Sequence, residues 1–169
     1  MMVCPTVVVD GMAYAKYRCN MQEMTLNDQT VLYDRDATVL AYKTIEYGGS
    51  NGCTCNGCKN FMQFRKEAYS PKLLKFLDTL GIDPEKEWEA YSWGDEIGGR
   101  IPYGGWFVFV GEWSDGNTKT RSDSRLKMQE SFSFTDSFPV ATQLFGPRTL
   151  AVEFYVEIPK SADYVSDFG

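Results

Sequence analysis

The most regular pattern in the chain is an apolar residue at every second position of residues 150–158, near the C-terminus. Alternation of this period places successive side chains on opposite faces, so the segment is predicted to be a β-strand that ends at Pro159. Glu153 and Glu157 fall on the face that is predicted to meet solvent. The face predicted to be buried carries Leu150, Val152, Phe154, Val156 and Ile158.

Two helices are predicted in the middle of the chain, over residues 57–69 and 71–80. The second has signals at both ends. Ser70 is a typical N-cap, and Pro71 suits the first helical position, where its missing N–H costs nothing. Gly81 supplies the left-handed residue that ends many helices. The apolar stripes predicted to face the core are Phe61, Phe64, Ala68 and Tyr69 in the first helix, and Leu73, Leu74, Leu77 and Leu80 in the second.

Further β-strands are predicted on both sides of the helix pair. The β-branched and aromatic residues 38–47 predict one, and the alternating second half of residues 85–93 predicts another. Residues 106–113 are almost continuously apolar, which is typical of a central strand buried on both faces. Residues 98–105 contain two glycine pairs and are predicted to be a loop. Shorter features are a strand at Val7–Val9, a turn at Asn27-Asp28 and a strand around Phe132 and Phe134.

The order of these elements predicts the fold class. Strands before and after a two-helix insertion, with more consecutive strands than helices, indicate an α+β fold. We expect a mostly antiparallel sheet of five or six strands, with the helix pair packed on one face. The length of 169 residues favours a single domain, residues 1–169.

Composition and charge argue against several classes of function. The net charge is −6 and there is no basic run, which argues against nucleic-acid binding. No stretch approaches the roughly 18 apolar residues of a membrane span, so no membrane association is expected. The N-terminus lacks the basic region of a signal peptide, so a cytoplasmic location is predicted. The nearby carboxylates of Glu85, Glu87 and Glu89 are interpreted as a solvated face.

Cys53, Cys55 and Cys58, called the cysteine cluster below, bring three of the five cysteines into six positions. The C-x-x-C spacing of the last two residues is that of a zinc knuckle. A structural zinc site needs four ligands, and the chain contains no histidine. The fourth ligand would therefore be Cys4, Cys19 or a carboxylate. Zinc bound by the cysteine cluster is the cofactor to consider, and no other is predicted.

Two other interpretations of the cysteine cluster remain open. A C-x-x-C pair at a helix N-terminus can cycle with a disulfide, although the thioredoxin arrangement requires a βαβ unit. The three residues can also be reduced thiols that pack where the first helix begins, with Asn56 or Thr54 as its N-cap. Nucleophilic catalysis by a Cys–His pair is excluded, because no histidine is present to act as the base.

A group of aromatic residues offers a candidate binding surface. Large rings can stack against a sugar, a base or the side chain of a protein partner. The alternative is that these rings simply fill the core of a β-rich domain. The residues are Trp88, Trp93, Tyr103 and Trp106.

One sequence pattern resembles a known group of proteins. The order C-x-x-C-x-N-F over residues 55–61 is followed by a leucine-rich helix that ends in Leu80-Gly81-Ile82-Asp83. This pattern is similar to a group of small uncharacterised bacterial proteins, over residues 53–113 and loosely in the final strand. The resemblance implies a bacterial origin and a cytosolic α+β domain. It implies no catalytic residue, because no activity is assigned to that group.

These observations favour a non-catalytic cytosolic protein that binds another protein, such as a toxin-neutralising or adaptor-like protein. The small size, the acidic charge and the many aromatic residues agree with this function. The alternative is a metal- or thiol-dependent enzyme, or a zinc-stabilised module, centred on the cysteine cluster.

Overall fold

The computed structural model of the chain describes residues 8–9, 12–13, 21–93, 96–114, 130–139 and 142–165. The described strands are β1 (Val8–Val9), β2 (Met12–Ala13), β3 (Gln22–Leu26), β4 (Gln29–Tyr33), β5 (Glu89–Ser92), β6 (Arg100–Trp113), β7 (Glu130–Thr135) and β8 (Thr149–Pro159). The described helices are α1 (Arg35–Thr44), α2 (Asn56–Ala68), α3 (Pro71–Leu80) and the short α4 (Thr142–Phe145), with a 3₁₀ turn at Gly49–Gly52.

The described strands β3 to β8 form one six-stranded sheet in the order β3-β4-β6-β8-β7, with β5 paired to β6. Every pair in this sheet is antiparallel. β6 and β8 pair along eleven positions, from Arg100 opposite Pro159 to Val110 opposite Thr149. β1 and β2 pair separately. The predicted α+β fold is therefore confirmed.

The helix pair packs on one face of this sheet, as predicted. The ring of Phe61 in α2 lies 5.4 Å from that of Tyr103 and 6.4 Å from that of Phe154, between centroids. In α3, the ring of Phe76 contacts Phe132 and Phe134 at 4.9 and 5.5 Å. The core is therefore an aromatic layer between the helices and the central strands.

Helix α3 has the ends that the sequence predicts. The Ser70 side chain accepts the N–H of Leu73, and Pro71 is the first helical residue. Gly81 has a φ of 80°, and the N–H of Ile82 bonds the carbonyl of Leu77 at 3.0 Å. These bonds form a Schellman-type C-cap. The turn predicted at Asn27-Asp28 is also present and joins β3 to β4, with φ values of 47° and 65°.

The strand predicted at residues 38–47 is wrong, because this segment lies largely in helix α1. The Asp34 side chain accepts the N–H of Ala37 at 2.9 Å and caps the helix. The buried Thr38 hydroxyl accepts the N–H of Val110 at 3.0 Å, and the Tyr42 hydroxyl donates to the carbonyl of Val108 at 2.9 Å. A cap and two bonds to the backbone of β6 thus override the β propensity of the branched residues.

The loop predicted at residues 98–105 is also wrong, because β6 begins at Arg100 and runs through Gly104 and Gly105. The glycines are needed for close packing between strands. A Cβ on Gly105 would lie 2.3 Å from the carbonyl oxygen of Glu89 and 2.6 Å from the ring of Phe154. Here glycine marks the close approach of a neighbour within a strand, and not a turn.

The solvated position predicted for Glu153 is wrong as well. Its side chain is 3% exposed, and its carboxylate accepts the hydroxyl of Tyr155 at 2.6 Å. β8 lies between β6 and β7 and is buried on both faces. Alternation assigned the residues to the two faces, but it could not show that both faces are covered.

Within the described residues, none of the helices has the length and apolar character needed to cross a membrane.

We expect Leu77→Ala to lower the free energy of unfolding by about 2–5 kcal/mol, since it leaves a cavity under α3. Leu77 is fully buried. Chemical denaturation measures the change. Leu40→Ala is the control, because Leu40 is 64% exposed and its truncation should change stability by less than about 0.5 kcal/mol. Equal losses in the two variants would show that the packing of α3 described above is wrong.

We expect Gly105→Ala to destabilise the fold by about 1–3 kcal/mol, because the new methyl group meets the Glu89 carbonyl and the Phe154 ring. The matched control is Gly52→Ala, where a Cβ would have no heavy atom within 4 Å. The control should retain or slightly raise stability, because alanine restricts the unfolded chain. Thermal unfolding of both variants makes the comparison, and a Gly105→Ala protein as stable as the control would contradict it.

Candidate metal centre

The cysteine cluster is formed by one short stretch of chain that turns into α2. Cys53 directly follows the 3₁₀ turn, Cys55 is the N-cap residue of α2, and Cys58 lies in the first turn of that helix. Their three sulfur atoms all lie within 4.8 Å of one another. The Sγ atoms of Cys53 and Cys55 are 3.1 Å apart. The structure therefore brings together all three predicted metal ligands.

Backbone N–H groups point at two of these sulfur atoms. The N–H of Cys58 donates to Cys55 Sγ at 3.3 Å, and the N–H of Cys55 donates to Cys53 Sγ at 3.5 Å. The predicted N-caps, Asn56 and Thr54, are wrong, since the Cys55 sulfur caps α2. Both N–H groups can also donate to thiolates, which are the form of cysteine that binds metal.

Burial disfavours the thiolate form of the third sulfur, that of Cys58. The pKa of the Cys58 thiol is raised, first by desolvation and then by hydrogen bonding with Cys53 and Cys55. Cys58 is half-buried, whereas Cys55 is exposed. Without metal, the raised pKa holds Cys58 as a neutral thiol at neutral pH. A metal that binds there must displace its proton.

The spacing of the sulfur atoms suits a tetrahedral thiophilic ion. With Zn–S bonds of about 2.3 Å, tetrahedral thiolates lie about 3.8 Å apart. Small side-chain rotations would bring three sulfurs that lie within 4.8 Å to this spacing. Within the described residues, no fourth His, Cys, Asp or Glu joins this group. Cys4 and Cys19, the predicted candidates for a fourth ligand, lie outside the described residues.

Helix α2 is anchored beneath the cluster by polar bonds to the central strands. The Tyr103 hydroxyl donates to the carbonyl of Gly57 at 2.9 Å. The buried Asn60 amide donates to the carbonyl of Pro159 at 3.2 Å and accepts the N–H of Ser161 at 2.8 Å. The first turn of α2 is therefore attached to the ends of β6 and β8. The sequence offered one clue to this anchor, a polar Asn60 beside the apolar Phe61 on the buried side of the helix.

A buried ion pair anchors the segment that precedes the cluster. Glu87 was interpreted as a solvated carboxylate, but its side chain has 0% exposure and pairs with Arg65 at 3.2 Å. Its Oε1 atom accepts the N–H of Ser50 at 3.2 Å. The sequence gives no signal for Glu87 and Arg65 as a pair, because Glu87 lies far from the cysteine cluster along the chain and neither residue has a special spacing.

The four aromatic residues proposed as a binding surface divide between the two faces of the sheet. Tyr103 is 1% exposed in the core under α2, and Trp88 packs with Phe145 on that same side. Trp106 alternates to the other face, where its ring lies 5.3 Å from Tyr91. Trp93, 41% exposed, contacts Tyr155 on that face as well, at 5.9 Å. No single surface therefore combines the four rings.

The thioredoxin-like interpretation of the cysteine pair lacks its structural frame. That arrangement places the pair after a strand of a parallel βαβ unit. Among the described residues, the pair instead follows a 3₁₀ turn, and every strand pairing is antiparallel.

A comparison of the chain with protein-family models, curated proteins and solved structures finds no match, so a function has to be inferred from the geometry of the site.

We expect Cys58 to be the slowest of the three clustered cysteines to react with iodoacetamide in reduced, metal-free protein at neutral pH. The thiolate is the reacting form, and the raised pKa of Cys58 keeps it protonated. Peptide mass spectrometry at low conversion measures the three rates. In the unfolded chain, which removes the burial, the rates should become similar. A Cys58 that reacts equally fast in folded and unfolded protein would refute this description of the site.

Proposed function

We propose that this chain is a metal-binding module in which Cys53, Cys55 and Cys58 together hold a zinc ion. The observation that carries this proposal is the convergence of three sulfur atoms within 4.8 Å at the N-terminus of a helix. Thiolate-rich sites select zinc, copper(I) or iron–sulfur clusters. Zinc fits best among these, because the C-x-x-C pair with its N–H···S bonds is the half-site of a zinc knuckle.

The exposure of the cluster supports metal binding over simple packing. Cysteines that serve only as core residues are usually buried, whereas Cys55 is exposed and Cys53 and Cys58 are half-buried. Hydrophobic burial therefore gives little reason to gather three thiols here. Coordination gives a direct reason, since one ion would bind the turn before α2 to the first turn of the helix.

In this proposal the zinc stabilises the fold, and the chain acts as a non-catalytic protein that binds another protein in a reducing compartment such as the cytoplasm. Cysteines that are not joined in disulfides persist where the compartment is reducing. Within the described part of the chain, no carboxylate joins the sulfur atoms to act as a general base. A structural ion is therefore favoured over a catalytic one. The acidic net charge of the chain suits an adaptor-like or toxin-neutralising role.

We expect protein purified without a histidine tag to carry close to one zinc per chain by elemental analysis. Cys55→Ser and Cys58→Ser should lose the ion, because serine is a poor ligand for zinc. The matched control is Thr54→Ala, which changes the exposed residue between two of the ligands and should keep the ion. Cys4→Ser and Cys19→Ser identify the fourth ligand, if either residue supplies it.

The same preparations test the pH dependence. Zinc affinity should fall on acidification, because the ligands must be deprotonated and the pKa of Cys58 is already raised. Zinc at about 100 times its Kd should also stabilise the fold by about 2.7 kcal/mol. Absence of stoichiometric metal, or cysteine variants that retain it, would refute the proposed function.

A further inference from the structure

The buried ion pair of Glu87 and Arg65 connects the 3₁₀ turn, which precedes Cys53, to helix α2, which begins with Cys55 as its N-cap. The Glu87 side chain is fully buried and that of Arg65 is 13% exposed. Burying a carboxylate is costly unless it is paired and hydrogen-bonded. Glu87 meets both conditions, through Arg65 of α2 and the N–H of Ser50 in the 3₁₀ turn.

The two carboxylate oxygens of Glu87 hold different segments. Oε1 accepts the N–H of Ser50, in the 3₁₀ turn, at 3.2 Å. Oε2 pairs with Arg65, in the third turn of α2, at 3.2 Å. The same Arg65 nitrogen donates to the Asn51 side chain at 3.1 Å. The N–H of Cys53 donates to the carbonyl of Ser50 at 3.3 Å. The first residue of the cluster is therefore bonded directly to the residue that Glu87 holds.

Two glycines bring the turn against this carboxylate. A Cβ on Gly48 would lie 2.8 Å from the carboxyl atoms of Glu87, and one on Gly49 would lie 2.3 Å from the carbonyl of Trp88. The N–H of Gly49 also donates to the carbonyl of Glu87 at 2.8 Å. The glycine run before the cysteine cluster therefore permits close contact with Glu87, and the turn is fixed against β5 and α2 together.

We infer that Glu87 and Arg65 are positioning residues of the metal centre. Their ion pair sets the position of Cys53, which follows the turn, relative to Cys55 and Cys58, which belong to α2. This inference rests on the proposed zinc function. Groups outside the ligand shell that orient ligands commonly change metal affinity by about 10–100-fold when they are removed. A three-sulfur site split between a turn and a helix depends on such support, because each segment alone leaves the site incomplete.

The test is the zinc affinity of Glu87→Gln, measured by competition with a chromophoric chelator. Glutamine keeps the volume and the acceptor for the Ser50 N–H but removes the charge that holds Arg65. We expect the affinity to fall by about 10–100-fold. The matched control is Glu85→Gln, because Glu85 is an exposed carboxylate that pairs with Lys66 on the surface. That control should bind zinc within about twofold of the unmodified protein, as expected for an exposed pair.

A second variant keeps the test valid if Glu87→Gln does not fold. Asn51→Ala removes one contact of Arg65 with the turn at an exposed residue, and should weaken zinc binding by about 2–10-fold, the effect of one net hydrogen bond. The absorption of the cobalt(II) form separates positioning from general stability, because it reports the geometry of the sulfur ligands. Both variants should shift the cobalt spectrum, and Glu85→Gln should not.

The outcomes are distinct. Weaker binding with a shifted spectrum in folded Glu87→Gln or Asn51→Ala supports the inference. Folded variants with unchanged affinity and spectrum overturn it and leave the zinc proposal standing. Failure of the unmodified protein to bind zinc or cobalt overturns the proposed function itself.

Discussion

The pairing of β6 with β8 is the constraint on which the other described elements depend. The two strands match along eleven positions, and β8 is buried on both faces. β4 and β5 share one edge of β6, and β7 pairs with the free edge of β8. Helices α1 and α2 bond directly to backbone atoms of these two strands or to residues at their ends. A shift of one residue in this register would exchange the two faces and separate every attached element from its partner.

Two separate sets of contacts attach the candidate metal centre to the sheet. In the first set, Tyr103 on β6 and Asn60 on α2 fix the start of the helix. In the second, Glu87, next to β5, fixes the turn before the helix. The cluster itself is exposed, but the groups that define its geometry are buried. This combination gives an exposed candidate site a rigid support, which is what precise coordination requires.

The parts of the fold that could be predicted were those with local signals. Helix α3 carries its own caps and apolar stripe, and the strands β7 and β8 show clear alternation. Helix α1 could not be predicted, because its branched residues favour a strand. The hydrogen bonds that stabilise the helix are made with β6, far along the chain. Glu153 was misplaced because alternation does not tell whether a face is covered. The candidate sulfur ligands were evident from their density, whereas the pair of Glu87 and Arg65 was not, since only the tertiary fold brings Glu87 against the turn and α2.

The sulfur of Cys55 has two functions in the structure, because it is both a candidate ligand and the cap of α2. A thiol accepts a hydrogen bond weakly, whereas a thiolate accepts one strongly. The charge on this one atom therefore changes the strength of one of the bonds that hold the first turn of the helix. Any event that changes this charge, from protonation to coordination, reaches the backbone through the amide of Cys58. The amide proton of Cys58, in the first turn of α2, therefore reports the state of the sulfur at the N-cap.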